Sequence, residues 1–176
     1  MKRILPFVAL GLLASVSLSV ASTVQAQESY ESPIIGEKGE PIGSVTIRGG
    51  ANAVIARVII NAGGLTPGWH GLHFHAVGDC SDPGKFALSK GHINHSEKKH
   101  GLLNTEGPDE GDLPNIFANA DGSANAEVSS VAVRLSGDKG LKSPTGSALV
   151  IHAAEDDHAS QPIGNAGARV GCAVIK

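Results

Sequence analysis

Residues 68–75 read Gly68-Trp69-His70-Gly71-Leu72-His73-Phe74-His75. Side chains alternate between the two faces of a β-strand, so His73 and His75, two positions apart, point the same way if this stretch is a strand. Two imidazoles that converge from one strand form a rigid half of a metal site, and imidazole suits copper, zinc, iron and nickel. The stretch therefore predicts a metal-binding strand whose remaining ligands come from elsewhere in the chain.

The rest of the chain has the pattern of an all-β domain. Twenty-three glycines and few aromatic residues favour many turns and slim strands over helices. Alternating or β-branched runs predict further strands at 42–48, 53–60, 116–120, 126–135, 149–152 and 168–175, and residues 27–39 predict an edge strand. We find no convincing helix and no repeat. The pattern predicts an antiparallel sandwich or barrel with two long functional loops, at about 77–112 and 153–167.

The N-terminal segment resembles a secretory signal peptide. Lys2 and Arg3 form a basic start, an apolar run follows from residue 4 to residue 20, and small residues precede a cleavage site before Gln27. The alternative is an uncleaved membrane anchor, since the run is near the length of a spanning helix. We expect cleavage after residue 26, which leaves one domain over residues 27–176, and a periplasmic or otherwise exported protein with no membrane attachment.

Charge and cysteine count narrow the class of protein. Without Lys2 and Arg3, 12 basic residues remain against 17 acidic ones, a net charge of −5 that argues against a general nucleic-acid binder. The two cysteines, Cys80 and Cys172, lie in a chain expected to reach an oxidising compartment, where an isolated pair usually forms a disulfide. The alternative is a pair of free thiols that bind metal.

The eight histidines are distributed in a way that favours a metal site. His152 ends a predicted strand, and the long loop carries three histidines together with Asp109 and Asp112. The eight histidines stand at positions 70, 73, 75, 92, 95, 100, 152 and 158, and those in the long loop are at 92, 95 and 100. Nucleophilic hydrolysis fits poorly because the chain lacks a Gly-x-Ser-x-Gly elbow, and no glycine-rich loop ends in the Lys-Ser/Thr pair that would bind phosphate.

Six motifs, in this order, resemble the copper/zinc superoxide dismutases. They are His73-Phe74-His75, Gly91-His92-Ile93-Asn94, Lys99-His100-Gly101, Gly111-Asp112-Leu113-Pro114, Ile151-His152 and Gly164-Asn165-Ala166-Gly167-Ala168-Arg169-Val170-Gly171-Cys172. The short gap from His75 to Cys80 resembles the bacterial exported branch. The resemblance covers residues 40–176 and implies a Greek-key, immunoglobulin-like β-sandwich or flattened barrel.

The resemblance also implies one copper ion and one zinc ion per chain. The copper ligands would be His73, His75, His92 and His152, and the zinc ligands would include His92, His100 and Asp112, with His92 bridging the two ions. Asp156 would link a copper histidine to a zinc histidine, and Arg169 would attract the anionic substrate beside copper. Cys80 and Cys172 would form the family's disulfide, and His70 would be structural. We expect His158 to face solvent.

Asp109 departs from the family pattern. It stands three residues before the zinc aspartate, where the family has a third zinc histidine. A carboxylate can ligate zinc, so a site of His92, His100, Asp109 and Asp112 is chemically reasonable. The alternative is that Asp109 is a solvated loop residue and that the zinc site is weak, empty or completed by water or His95.

The implied activity is disproportionation of superoxide to oxygen and hydrogen peroxide through cycling of copper between Cu(II) and Cu(I), as part of antioxidant defence. Two alternatives use the same fold. One is a copper-only dismutase that lacks zinc, and the other is a non-catalytic periplasmic protein that binds copper or zinc. The implied partner is superoxide, with no nucleic acid, and a homodimer with a second copy of the chain is left open.

Overall fold

The structure, a computed structural model, describes residues 27–176, and the predicted signal peptide over residues 1–26 lies outside the described residues. The described chain is built from short strands. They are β1 (Glu28–Gly36), β2 (Pro41–Gly49), β3 (Val54–Ile60), β4 (Gly68–His70), β5 (Leu72–His75), β6 (Ile116–Ala118), β7 (Ala124–Ser130), β8 (Ser147–His152) and β9 (Arg169–Ile175). A single 3₁₀ turn covers Ala87–Ser89. Among residues 27–176, no helix has the length and apolar character needed to cross a membrane.

Seven strands form one antiparallel sheet in the order β5-β8-β9-β1-β2-β3-β7, and β4 pairs with β6 in a second, two-stranded sheet. Leu72 of β5 and Val128 of β7 stand on opposite edge strands, yet both belong to the same buried core. The large sheet must therefore curl so that its two edges enclose that core. The predicted all-β antiparallel architecture is confirmed.

Burial of one face fixes the register of the strands. In β3, Val54, Ala56, Val58 and Ile60 are buried, while Arg57 between them is exposed. Each fully buried valine or isoleucine contributes about 1.5–3 kcal/mol relative to exposure, so a one-residue slip in register would turn this face to water. β8 differs, since every residue from Ser147 to His152 is buried.

The outer face of β8 is covered by the first part of the long loop. Phe86 and Cys80 of the loop form a second apolar cluster with Ala148, Val150 and Cys172. Cys80 and Cys172 are joined by a disulfide with a Cα–Cα distance of 5.8 Å across 92 residues of sequence. The predicted disulfide is confirmed, and it fastens the loop to β9.

Three strand predictions need correction. Residues 27–39 do not form an edge strand, because β1 lies between β2 and β9, although only Ile35 and Gly36 pair with β9. The predicted strand 126–135 is β7, which ends at Ser130. The predicted metal-binding strand that carries His73 and His75 breaks at Gly71, where β4 leaves for the two-stranded sheet and β5 begins.

Candidate metal centre

The long loop docks on the free edge of β5 and brings its own side chains to the strand histidines. One edge of β5 pairs with β8. On the other edge, Phe74 N–H donates to Gly111 O (2.8 Å) and Ile93 N–H donates to Phe74 O (2.9 Å). These bonds place His92 opposite His75 and Asp112 opposite His73.

Gly111 is required at this contact. A Cβ atom added there would collide with the carbonyl oxygen of Phe74 and would lie 2.9 Å from Cβ of His92. Since both neighbours are backbone or backbone-anchored atoms, neither can move without opening the loop from β5. The glycine of the Gly-Asp-Leu-Pro motif therefore permits the close approach that assembles the site.

Four histidine rings meet at the end of β5. The ligand atoms of His73, His75 and His92 lie within 4.8 Å of one another. The ring of His152 is next to this group, with its centroid 4.8 Å from that of His73 and 6.1 Å from that of His75. All four predicted copper histidines are thus brought together, although His152 stands outside the tightest group.

Each of these rings has one buried nitrogen with no hydrogen-bond partner among residues 27–176. The atoms are His73 Nδ1, His75 Nε2, His92 Nε2 and His152 Nε2. Buried polar groups almost always have a partner, so four unpartnered nitrogens on adjacent rings call for a cation. An all-imidazole donor set suits copper among the transition metals.

The second nitrogen of each strand histidine is held by the protein. His73 Nε2 lies 2.7 Å from Asp156 Oδ2, His75 Nδ1 lies 2.8 Å from Lys90 O, and His152 Nδ1 lies 3.0 Å from Gly167 O. Such outer contacts fix the tautomer and the ring orientation of metal-ligating histidines. The orientation of each ring is therefore set by the protein itself.

A second cluster lies on the far side of His92. The ligand atoms of His92, His100, Asp109 and Asp112 lie within 4.8 Å of one another. His92 Nδ1 is 2.9 Å from Asp109 Oδ2, and His100 Nδ1 is 2.6 Å from Asp112 Oδ1. Two imidazoles and two carboxylates form a donor set that zinc accepts in tetrahedral sites.

Asp109 is part of this cluster and is not a solvated loop residue. It is 5% exposed, and its amide N–H donates to Asp112 Oδ2 at 3.0 Å. His95, the other candidate to complete the site, is exposed and stands outside the cluster. Asp109 therefore does not face solvent, and its carboxylate lies where a ligand of this cluster is needed.

Asp156 connects the two clusters. Its Oδ2 contacts His73 Nε2 at 2.7 Å, and its Oδ1 lies 3.1 Å from His100 Nε2. The link predicted from the resemblance is therefore present in the structure. Asn115 holds the backbone of Asp156 from both sides, since its Oδ1 accepts from Asp156 N–H (2.9 Å) and its Nδ2 donates to Asp156 O (2.8 Å).

The two clusters differ in charge. Burial lowers the pKa of His75 to about 2 and that of His152 to about 3, so both rings are neutral near pH 7 with a lone pair available for a metal. Burial opposes ionisation of Asp112, but hydrogen bonds from His100 and His92 hold the pKa of that carboxyl well below its usual range. Hydrogen bonds to Asp112 and Asp156 raise the pKa of His100 to about 10 against the effect of its burial.

Arg169 faces the cleft that leads to His75 and His92. The cleft encloses about 340 Å³, and Lys98 and Gln161 also line it. Arg169 Nη1 donates to Phe86 O (2.6 Å) and to Ser89 Oγ (3.1 Å), so the guanidinium group is held by the disulfide-bonded loop. The sequence did not point to Lys98, because it precedes the Lys99-His100-Gly101 motif in a polar loop and carries no periodic or motif signal of its own.

The two remaining histidines near the site have different surroundings. His70 is buried, and its two ring nitrogens lie 2.6 Å from His152 O and 2.8 Å from Thr66 O, a structural role as expected. His158 was expected to face solvent, but its side chain is only 17% exposed and its Nε2 lies 3.2 Å from Asn115 Nδ2. Packing of the second loop against Asn115 explains the difference.

Comparison with known proteins identifies the family. The family model described as copper/zinc superoxide dismutase (SODC) matches residues 42–175. The chain belongs to the copper/zinc superoxide dismutase family. The resemblance inferred from the six motifs is confirmed.

Relatives within this family cover most of the chain. A superoxide dismutase [Cu-Zn] of Caulobacter vibrioides is 48% identical over 142 residues, which are 78% of this chain and 80% of that protein. Superoxide dismutase [Cu-Zn] 2 of Aquifex aeolicus is 38% identical over 169 residues, 94% of this chain and 97% of that protein. The crystal structure of a SOD-like protein from Bacillus subtilis superimposes with a TM-score of 0.78 at 28% identity, over 86% of this chain and 100% of that one.

Proposed function

We propose that this protein is a superoxide dismutase, which converts two superoxide anions and two protons to oxygen and hydrogen peroxide. The observation that carries the proposal is the set of four buried, unpartnered imidazole nitrogens beside a cleft that Arg169 lines. Membership in the copper/zinc family supports the same activity. A neutral all-histidine site open to a small anion suits this reaction.

The unpartnered nitrogens support a copper ligand set of His73 Nδ1, His75 Nε2, His92 Nε2 and His152 Nε2. Copper, when bound there, supplies one-electron chemistry between Cu(II) and Cu(I). The cluster of His92, His100, Asp109 and Asp112 would hold zinc, which has no redox chemistry. One copper and one zinc per chain would then share His92.

His92 has the central role among the protein groups. Its Nε2 belongs to the histidine cluster and its Nδ1 to the carboxylate cluster. A ring loses both protons only when cations flank both nitrogens. When Nε2 is free of metal, it is the atom that would hold a proton and pass it to the substrate, and Asp109 and Asp112 would set the basicity of the ring from the other side.

Arg169 supplies positive charge where the substrate enters. The mature domain carries a net charge of −5, so a superoxide anion is repelled by the protein as a whole. Arg169 and Lys98 are the cationic side chains that line the cleft. Local focusing of this kind raises the association rate of anions by roughly 10–10³-fold and weakens with ionic strength; the handling of superoxide by this enzyme family is a standard example.

The direct test is superoxide consumption after pulse radiolysis. In excess EDTA, which suppresses dismutation by free copper, the metal-loaded protein is expected to remove superoxide catalytically, and metal analysis is expected to find about one zinc per chain. Glu106→Gln, which removes one exposed charge from the same loop, is the control and should match wild type. No removal above the rate of the metal-free protein would favour the non-catalytic metal-binding protein, and full activity with zinc never bound would favour the copper-only dismutase.

Export and assembly also belong to the proposal. A signal peptide over residues 1–26 and an oxidising compartment agree with the Cys80–Cys172 disulfide, since such bonds persist outside the cytosol. Mass spectrometry of the exported protein is expected to give Gln27 as its first residue, and an N-terminus still at Met1 would contradict cleavage. The homodimer stays a prediction, which light scattering would test.

A further inference from the structure

Asp109 holds the shared histidine by a contact that needs no metal. Its Oδ2 lies 2.9 Å from His92 Nδ1, and its Oδ1 accepts the backbone N–H of Gly111 at 2.9 Å. The carboxylate is 5% exposed and the side chain of His92 is 6% exposed. Both oxygens of Asp109 are thus committed, one to the loop backbone and one to the ring.

This contact determines the tautomer of His92. The tautomer in turn decides which ring nitrogen presents a lone pair to the copper cluster. When the carboxylate accepts the Nδ1 proton, the lone pair of the neutral ring is on Nε2, the buried atom that has no partner among residues 27–176. A zinc ion bound to Nδ1 would impose the same orientation. Asp109 therefore does for the ring in the zinc-free protein what zinc does in the loaded one.

Neither Asp112 nor a histidine at position 109 would orient the ring of His92 as well as Asp109 does. Asp112 Oδ1 is 3.5 Å from His92 Nδ1 and is already bonded to His100 Nδ1 at 2.6 Å, and its Oδ2 accepts from Gly101 N–H at 2.7 Å. A neutral histidine has one lone pair and no charge, so it could not anchor to the loop backbone and to His92 at once.

We propose that Asp109 is a positioning residue that makes the copper site of this chain complete before zinc binds. The inference rests on the copper assignment of the proposed function. Asp109, which stands where the family has a zinc histidine, would then do more than bind zinc. It would orient the copper ligand His92 whether or not zinc is present.

The test is the copper affinity of the zinc-free protein, measured by competition with a chelator. Asp109→Asn keeps the size of the side chain but offers one acceptor oxygen where two are used, and its NH₂ group would favour the tautomer with a proton on His92 Nε2. Loss of an outer-shell partner typically costs 10–100-fold in metal affinity, so we expect copper to bind roughly 10–100-fold more weakly. Glu106→Gln removes one exposed charge from the same loop and is expected to bind as wild type does.

A second variant and a spectroscopic signal distinguish loss of the His92 orientation from a general loss of the protein's structure. Asp109→His restores the ligand type of the family, so it should bind zinc; its copper affinity should be weak without zinc and return to the wild-type value once zinc is bound. Pulsed EPR of the zinc-free copper form should detect the His92 nitrogen in wild type and lose it in both variants. Circular dichroism verifies the fold, and Asp109→His provides the comparison if Asp109→Asn does not fold.

Equal copper affinities of zinc-free wild type and the variants would overturn the proposal. A loss that persists in zinc-loaded Asp109→His would overturn it too, because zinc would then fail to replace the carboxylate. Absence of superoxide consumption by the loaded wild-type protein would instead defeat the proposed function, and it is measured independently of these affinities.

Discussion

Lowering the pH should destabilise the metal-free protein through the neutral histidines of the copper cluster. His75 and His152 are buried, and burial lowers their pKa values from 6.5 to about 2 and about 3. In the unfolded chain both rings regain the ordinary pKa near 6.5. Between these values the unfolded state binds more protons than the folded state, so stability present above pH 6.5 is lost as the pH falls.

The size of the effect follows from the number of rings. Each pH unit below 6.5 costs about 1.4 kcal/mol per histidine while the folded ring stays neutral. For the two rings, the free energy of unfolding should fall by about 3 kcal/mol between pH 6.5 and pH 5, because each unfolded ring is already half protonated at pH 6.5. His100 has the opposite dependence on pH. Its raised pKa stabilises the folded protein at low pH, and this stabilisation is lost as the pH rises above 6.5. The metal-free protein should therefore be most stable near neutral pH.

Chemical denaturation of the chelator-treated protein at a series of pH values measures this dependence. The slope between pH 6.3 and pH 5 is expected to approach the uptake of two protons on unfolding, and to drop by about one proton in His75→Gln. A free energy of unfolding that stays constant from pH 7 to pH 5 would refute the assignment of neutral, buried rings. So would an unchanged slope in the variant.

Three further predictions concern the cleft, the disulfide and the link between the clusters. Arg169→Ala should lower turnover about 10-fold or more and flatten the dependence of turnover on ionic strength, while the copper content stays unchanged. Arg169→Lys is the charge-conserving control, and unaltered kinetics in Arg169→Ala would contradict a guiding role for Arg169. Replacement of Cys80 and Cys172 by serine should lower the free energy of unfolding by about 4–5 kcal/mol, as measured in denaturant, and a loss below 1 kcal/mol would contradict it. Asp156→Asn should weaken zinc binding about 10–100-fold, which zinc titration checks against Glu106→Gln.

The sequence predicts well those parts of the fold that local pattern determines. The β-branched run at 53–60 predicts β3 to within one residue, and the apolar run at 168–175 does the same for β9. The position of β1 is different, because its polar outer side chains resemble those of an edge strand and only its pairing with β9 places it inside the sheet. The break at Gly71 likewise depends on which sheet each half of the stretch joins.

The proposed ligand set follows from the resemblance carried by the six motifs, whereas its assembly in space depends on tertiary contacts. His92 and Asp112 reach the strand histidines because the loop backbone bonds to Phe74, and no local pattern shows that docking. Burial of Asp109 depends on the same contact. Asn115 carried no signal of its own beyond its place directly after the Gly-Asp-Leu-Pro motif.

In the proposed enzyme, His92 joins a copper site to a zinc site. Anomalous X-ray diffraction from crystals of the loaded protein, recorded at the copper and zinc edges, would locate the two metals. Copper is expected beside His92 Nε2 with His73, His75 and His152, and zinc beside His92 Nδ1 with His100, Asp109 and Asp112. A zinc peak away from Asp109, or a single metal with His92 bound on one side only, would contradict the account.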